Sequence, residues 1–226
     1  DRFETAGPGF INFFLGTEFY SAVIREILAN PEAYGRSEYG RDEKVMVEFV
    51  SANPTGPMHM GNARGGALGD CLAAVLDKAG YNAWREFYVN DAGNQIEKFG
   101  CSLEARYLQI FKGDEIEFPE DGYQGEDIKD LAKEYADLNG DSLVNVSAEE
   151  RKKALVDYAL PKNIKKMQAD MEKYKIFYDK WFFESELHKS GAVKAVVDLL
   201  TKKGLTYEKD GAVWYKNKEV LTQKIL

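Results

Sequence analysis

The sequence predicts an α/β fold built on a parallel sheet, and three observations predict it. Val45–Ser51 (VMVEFVS) is a short, nearly continuous apolar run, as expected of a parallel strand covered on both faces. A Pro- and Gly-rich turn then leads into a helical pattern over Met60–Ala79. Ala83–Val89 (AWREFYV) is a second strand, which completes a strand–helix–strand unit of crossover length. Polar residues follow each strand, where open α/β sheets place their sites.

The remaining elements follow in order. Gly7–Leu15 (GPGFINFFL) reads as a buried strand after a turn, and Glu18–Leu28 as a helix. Gly35–Lys44 (GRSEYGRDEK) is polar and Gly-punctuated, as linkers are. In the Met60–Ala79 helix, Ala63, Ala67, Leu68, Cys71, Leu72, Val75, Leu76 and Ala79 form the expected apolar face, and Gly80 caps the end. Gly61, Gly65, Gly66 and Gly69 cost a helix roughly 1 kcal/mol each against Ala, so their clustering argues for close backbone packing. Asn90–Gln95 opens a helix running to about Phe111. An acidic loop over Gly113–Gly125 precedes charged helices at Ile128–Leu138 and Ala148–Lys175, which read as a helical insertion. Ile176–Phe183 is a third strand, Ser190–Lys203 an amphipathic helix ending at Gly204, and Thr206–Tyr215 a hairpin around Asp210–Gly211.

Composition sets broad limits. The chain has 226 residues, 44% hydrophobic and 30% charged, as in an ordinary globular protein. Its net charge of −8 lends no support by itself to nucleic-acid binding. Cys71 and Cys101 are far apart without metal-ligand spacing, which favours a reduced intracellular setting. No apolar run approaches a membrane span and no signal peptide opens the chain, so the cytoplasm is the expected compartment. An opening at Asp1 without Met and a Lys-rich stretch ending at Leu226 suggest part of a longer protein.

The strongest motif is Pro54-x-Gly56-x-x-His59-x-Gly61-Asn62, between a strand and a helix. A helix start offers free N–H groups and a positive dipole end, which together make a seat for phosphate. His59 and Asn62 lie one turn apart on one face, and both can donate hydrogen bonds. Gly61 leaves room for a flat base against the backbone. Glu48 is anomalous in an apolar strand; it is either an edge-facing or salt-bridged carboxylate, or a ligand-reading group at the strand end. Asn90, Asp91 and Gln95 form a further candidate site, or an Asx-type cap on the next helix. Lys152–Lys153 and Lys202–Lys203 read as solvated helix faces, Trp84, Trp181 and Trp214 as core, and His188 as structural.

The motif resembles the HIGH signature of class I aminoacyl-tRNA synthetases, and its flanks resemble those of arginyl-tRNA synthetases. The runs that carry the likeness are GPGFINFF at 7–14, EFVSANPTGPMHMGN at 48–62, REFYVNDAGNQ at 85–95, GYQGEDI at 122–128 and KWFFES at 180–185. The resemblance implies an incomplete Rossmann-type, HUP-like parallel sheet with a helical insertion. It divides the chain into the tail of an N-terminal domain with a connecting helix (1–43), the first half of the catalytic domain (44–113), the insertion (114–175), and the third strand, helix and hairpin (176–226).

The same resemblance implies roles. His59 and Asn62 would act on the ATP phosphates, with Pro57 and Gly61 completing the ATP site. Glu48, Ser51 and Asn53 would bind arginine. Asn62 stands where the family usually has a second His, so it keeps a neutral donor but no positive charge. The implied protein is a monomer that uses ATP with Mg²⁺, arginine and tRNA(Arg), without a dedicated protein metal site. Its mobile KMSKS-type loop and anticodon-binding domain would lie past Leu226, so residues 1–226 alone would not charge tRNA. Two alternatives use the same motif: a nucleotidyltransferase of the same superfamily, and a non-catalytic synthetase-derived binding module.

Overall fold

The computed structural model describes residues 2–216. Its elements are β1 (Arg2–Ala6), β2 (Phe10–Phe14), α1 (Thr17–Ala29), β3 (Lys44–Glu48), α2 (Met60–Lys78), β4 (Asn82–Val89), α3 (Asn94–Lys112), α4 (Glu126–Asn139), α5 (Ala148–Lys173), β5 (Lys180–Phe183), α6 (Glu184–Lys189), α7 (Ala192–Lys202), β6 (Thr206–Lys209) and β7 (Ala212–Tyr215). The last ten residues of the 176–226 block lie outside the described residues. The chain divides into two compact units. One takes the residues up to Val45 together with Leu72–Ala83, and the other takes Met46–Cys71 and the chain from Trp84 onward.

In the first unit, β1 and β2 form an antiparallel hairpin with Arg2 opposite Phe14 and Ala6 opposite Phe10. This corrects the buried strand expected over Gly7–Leu15: Phe10, Ile11, Phe13 and Phe14 are exposed. The apolar run matches a covered strand in composition, but among the described residues it pairs with β1 alone. Within the same unit Ser37 N–H donates to Lys78 O, and Gly40 N–H to Ala79 O. A side chain at Gly40 or Gly80 would meet backbone, which is why this turn carries glycine at both places.

The second unit holds the α/β layer. The three-stranded sheet runs in the order β3–β4–β5. β5 pairs parallel with β4, Glu86 facing Lys180 and Val89 facing Phe183. The two faces of β3 are not both covered, as the apolar run had suggested. Its side chains alternate between exposed and half-buried, because it lies at one edge of the described sheet. Phe87, stacked on Trp181 at 4.2 Å between centroids, packs with Val89 and Met167 of α5. Phe49, Met171 and Ile176 form an adjoining cluster.

α2 packs through the opposite choice of residues to the one its periodicity suggested. Leu68, Leu72 and Val75 are exposed, whereas Gly66 and Gly69 are buried. A methyl group at Gly69 would collide with the Phe49 ring, and one at Gly66 would sit 2.9 Å from Ile176 Cδ1. Close approach of the helix backbone to these side chains decides the inward face, and only glycine permits it. Trp84 and Trp214 are 45% and 50% exposed, which corrects their assignment to the core; Trp181 does pack there.

α3, α4 and α5 share one core of Phe99, Leu103, Tyr107, Ile128, Ala132 and Leu155. The buried Arg151 is fully engaged beside it, with Nη1 on Glu104 Oε1 at 2.6 Å and further donations to the carbonyls of Leu143, Val144 and Val146. Lys152 is not simply a solvated charge, since it pairs with Glu97. α5 ends at Lys173, and Lys175 then adopts φ 66°. Lys175 N–H donates to Glu172 O and Ile176 N–H to Met171 O, which makes a Schellman stop. The expected third strand is correspondingly shorter, the expected Ser190–Lys203 helix is α7, and Gly191, at φ 75°, separates it from α6, a helix that the sequence reading did not include.

Candidate active site

A cavity of about 740 Å³ in the second unit opens where β3 and β4 end and α2 begins. Local backbone geometry shapes it first. Phe49 N–H donates to Glu86 O, and the next ladder bond runs from Ala52 N–H to Tyr88 O. Three residues on one strand thus face two on the other, a bulge. Val50 and Ser51 take up the excess at φ 67° and 38°, conformations that L residues seldom adopt. Ser51 Oγ accepts the Tyr88 N–H at 3.1 Å and so fills the gap in the ladder. Such strain persists only where the surroundings enforce it, and it gathers at functional sites.

The turn that follows is held from α5: the buried Asn163 donates its side-chain amide to Pro54 O at 2.9 Å. α2 then starts with a reciprocal cap. His59 Nδ1 accepts the Gly61 N–H at 3.1 Å, while Asn62 Oδ1 accepts the His59 N–H at 3.0 Å. This is the capping-box pattern, with His and Asn in place of the usual Ser/Thr and Glu. Because Nδ1 is an acceptor, the neutral His59 ring carries its proton on Nε2 and can donate from there. The Asn62 amide nitrogen makes no hydrogen bond among the described residues and is likewise a donor in reserve. Gly61 is needed for the cap itself, since a Cβ there would sit 2.9 Å from His59 Cε1.

Of the residues singled out from the sequence, Ser51, Asn53, Pro57, His59, Asn62 and Asn90 line this cavity. Glu48, Gly61, Asp91 and Gln95 do not. Asp91 is engaged elsewhere, taking the Ser185 N–H at 2.8 Å and the Ser185 hydroxyl at 2.7 Å, which ties the end of β4 to the start of α6. Gln95 accepts from Tyr123 O–H. Glu48 is exposed, yet its charge reaches the cavity wall. Burial first, then the carboxylates of Glu184, Asp91 and Glu48, push the Tyr88 hydroxyl above its ordinary range. One oxygen of Glu184 is buried without a hydrogen-bond partner. The site is therefore polarised, with donors at the helix start and carboxylates around Tyr88.

The chain as a whole is similar to known proteins. The model of the family described as class I tRNA synthetases (R), catalytic domain, matches residues 23–220. The chain belongs to this family. Among curated relatives of this arginyl-type synthetase domain, the arginine–tRNA ligase of Acetivibrio thermocellus is 61% identical over 96% of the chain, and that of Bacillus pumilus 44% identical over 96%. The chain spans about two fifths of the length of the relatives it matches, 38% and 39% in these two cases. A crystal structure from Campylobacter jejuni, assigned as an arginyl tRNA synthetase, superposes with a TM-score of 0.72 at 34% identity. It covers 89% of this chain and 43% of the other. The Thermus thermophilus arginyl-tRNA synthetase gives 0.52 at 26% identity, covering 93% and 35%.

The synthetase domain's second cavity wall has no role in the sequence-based site. It consists of Tyr123, Gln124, Gly125 and Asp127, at the start of α4. The GYQGEDI run marked this stretch without giving it a task. Its loop composition has no local chemistry that signals a site, and only the packing of α3 and α4 brings it opposite the turn. Among the described residues no group of three or more His, Cys, Asp or Glu side chains could hold a metal, and no helix is long and apolar enough to cross a membrane.

Proposed function

We propose that, in a chain of the relatives' full length, this site activates arginine with ATP and passes it to tRNA(Arg). The observation that carries the reading is the reciprocal His59–Asn62 cap at the mouth of the cavity, which supports His59 Nε2–H and the Asn62 amide as donors to the ATP phosphates. A carboxylate oxygen of arginine attacks the α-phosphorus. The new O–P bond forms as the bond to the β-phosphate oxygen breaks, and pyrophosphate leaves. A hydroxyl of the terminal tRNA ribose then attacks the activated carbonyl, and AMP departs. No side-chain nucleophile is needed, so catalysis rests on positioning and on stabilising phosphate charge.

Arginine is cationic at both its amino group and its guanidinium, and the negative field of Glu48, Asp91 and Glu184 around Tyr88 suits it. Ser51 and Asn53 take their places beside that field. Mg²⁺ arrives with ATP and shields its phosphates. The same reading makes the protein cytoplasmic and monomeric. The test is ATP–pyrophosphate exchange and tRNA charging by the full-length protein. Both should depend on arginine, and His59→Ala should slow both by about 10²–10³. Activity that is indifferent to arginine, or to His59, overturns the reading.

A further inference from the structure

We infer that Asp127 is a ligand-contacting residue of this cavity and accepts hydrogen bonds from the vicinal hydroxyls of a ribose. The inference rests on the nucleotide reading above. Asp127 lies in the first turn of α4 and lines the cavity. Its carboxylate makes no hydrogen bond or ion pair with any described residue, although it is only partly exposed. Such a group facing a cavity is an acceptor waiting for a donor-bearing ligand.

The wall that carries it is held in place rather than loose. Tyr123 donates its hydroxyl to Gln95 and its N–H to Ser102 Oγ at 2.9 Å, which pins the loop to α3 at two points. Glycine surrounds the carboxylate on both sides. A side chain at Gly125 would collide with Asp127, and one at Gly56, on the turn opposite, would come within 3.5 Å of Asp127 Oδ2. Those two glycines leave the carboxylate open for a ligand to approach closely.

The chemistry of the cavity selects the ligand group. Donors sit at the start of α2, where phosphate belongs, and a cationic amino acid is served by the carboxylates that act on Tyr88. Asp127 is not one of them. What remains for a lone acceptor within a nucleotide cavity is the ribose diol, which offers two O–H donors to one carboxylate. The ribose can come from ATP or from the terminal nucleotide of tRNA.

The test uses the full-length protein and its Asp127→Asn variant. Calorimetric titration with ATP and with 2′,3′-dideoxy-ATP reads the contact whatever reaction the protein runs, and so separately from the proposed activity. If the ribose is that of ATP, the unmodified protein prefers ATP by about tenfold and the variant loses that preference. If it is that of the tRNA end, the titrations match and the variant's KM for tRNA rises about tenfold with kcat nearly unchanged. Unchanged nucleotide preference together with unchanged tRNA KM overturns the inference, as does a rise confined to the KM for arginine. Thermal unfolding should agree between the two proteins, because the side chain holds no structural partner.

Discussion

Asn163, in the middle of α5, donates its buried side-chain amide to the carbonyl of Pro54, 109 residues earlier in the chain. One hydrogen bond thus couples α5 to the turn that precedes His59. Asn163→Ala should destabilise the chain by about 1–3 kcal/mol, because it leaves a buried acceptor unpaired. Asn163→Asp should do at least as much harm, since a carboxylate cannot donate to the Pro54 oxygen. Denaturant unfolding measures both, and kcat in the full-length protein should fall for both.

The His59–Asn62 cap separates stability from chemistry. Asn62→Asp keeps an acceptor for the His59 N–H, so unfolding should change little. The added negative charge at a phosphate seat should weaken ATP use by about tenfold or more. Asn62→Ala removes the cap and should cost about 1 kcal/mol of stability. Parallel unfolding curves and ATP titrations resolve the two effects.

Lys175 occupies the left-handed position of the stop that ends α5, at φ 66°. Glycine takes that conformation without strain, so Lys175→Gly should stabilise the chain by about 0.5–1 kcal/mol. Thermal unfolding checks the sign, which is opposite to the usual effect of introducing glycine into a chain.

Tyr88 supplies a pH signature. Its hydroxyl lies above the ordinary value of 10.0, through burial first and neighbouring carboxylates second. The folded state therefore holds the proton more tightly than the unfolded state. That contribution to stability is complete below pH 10 and is lost as pH rises through the folded-state value. Tyr88→Phe should flatten this part of the alkaline stability profile. In the intact protein, arginine should shift the phenolate absorbance transition downwards, because a bound cation offsets the carboxylates.

Gly69 sets the approach of α2 to Phe49. Gly69→Ala should cost about 1–3 kcal/mol through overpacking, despite the better helix propensity of alanine. Urea unfolding decides which effect wins.

Much of the layout was legible because its causes are local. Alternating and continuous apolar runs marked β4 and the edges of the α/β layer, and Pro54, Gly56 and His59 marked the turn at the α2 start. Where a local pattern had two physical readings, the sequence could not choose between them. The FINFF run of β2 has the composition of a covered strand but an exposed register. The leucines of α2 keep helical spacing, yet its glycines face inward.

The sequence alone determined most of the elements in their order, though not β1 or α6, and the strand–turn–helix placing of the His59 motif. These follow from the backbone preferences and apolar spacing of neighbouring residues. Only the tertiary structure decided which face of α2 is buried, that Asn163 holds the turn, that Asp91 is committed to Ser185, and that Asp127 closes the far wall of the cavity. Each of those depends on packing between residues far apart in the chain, which no local pattern encodes.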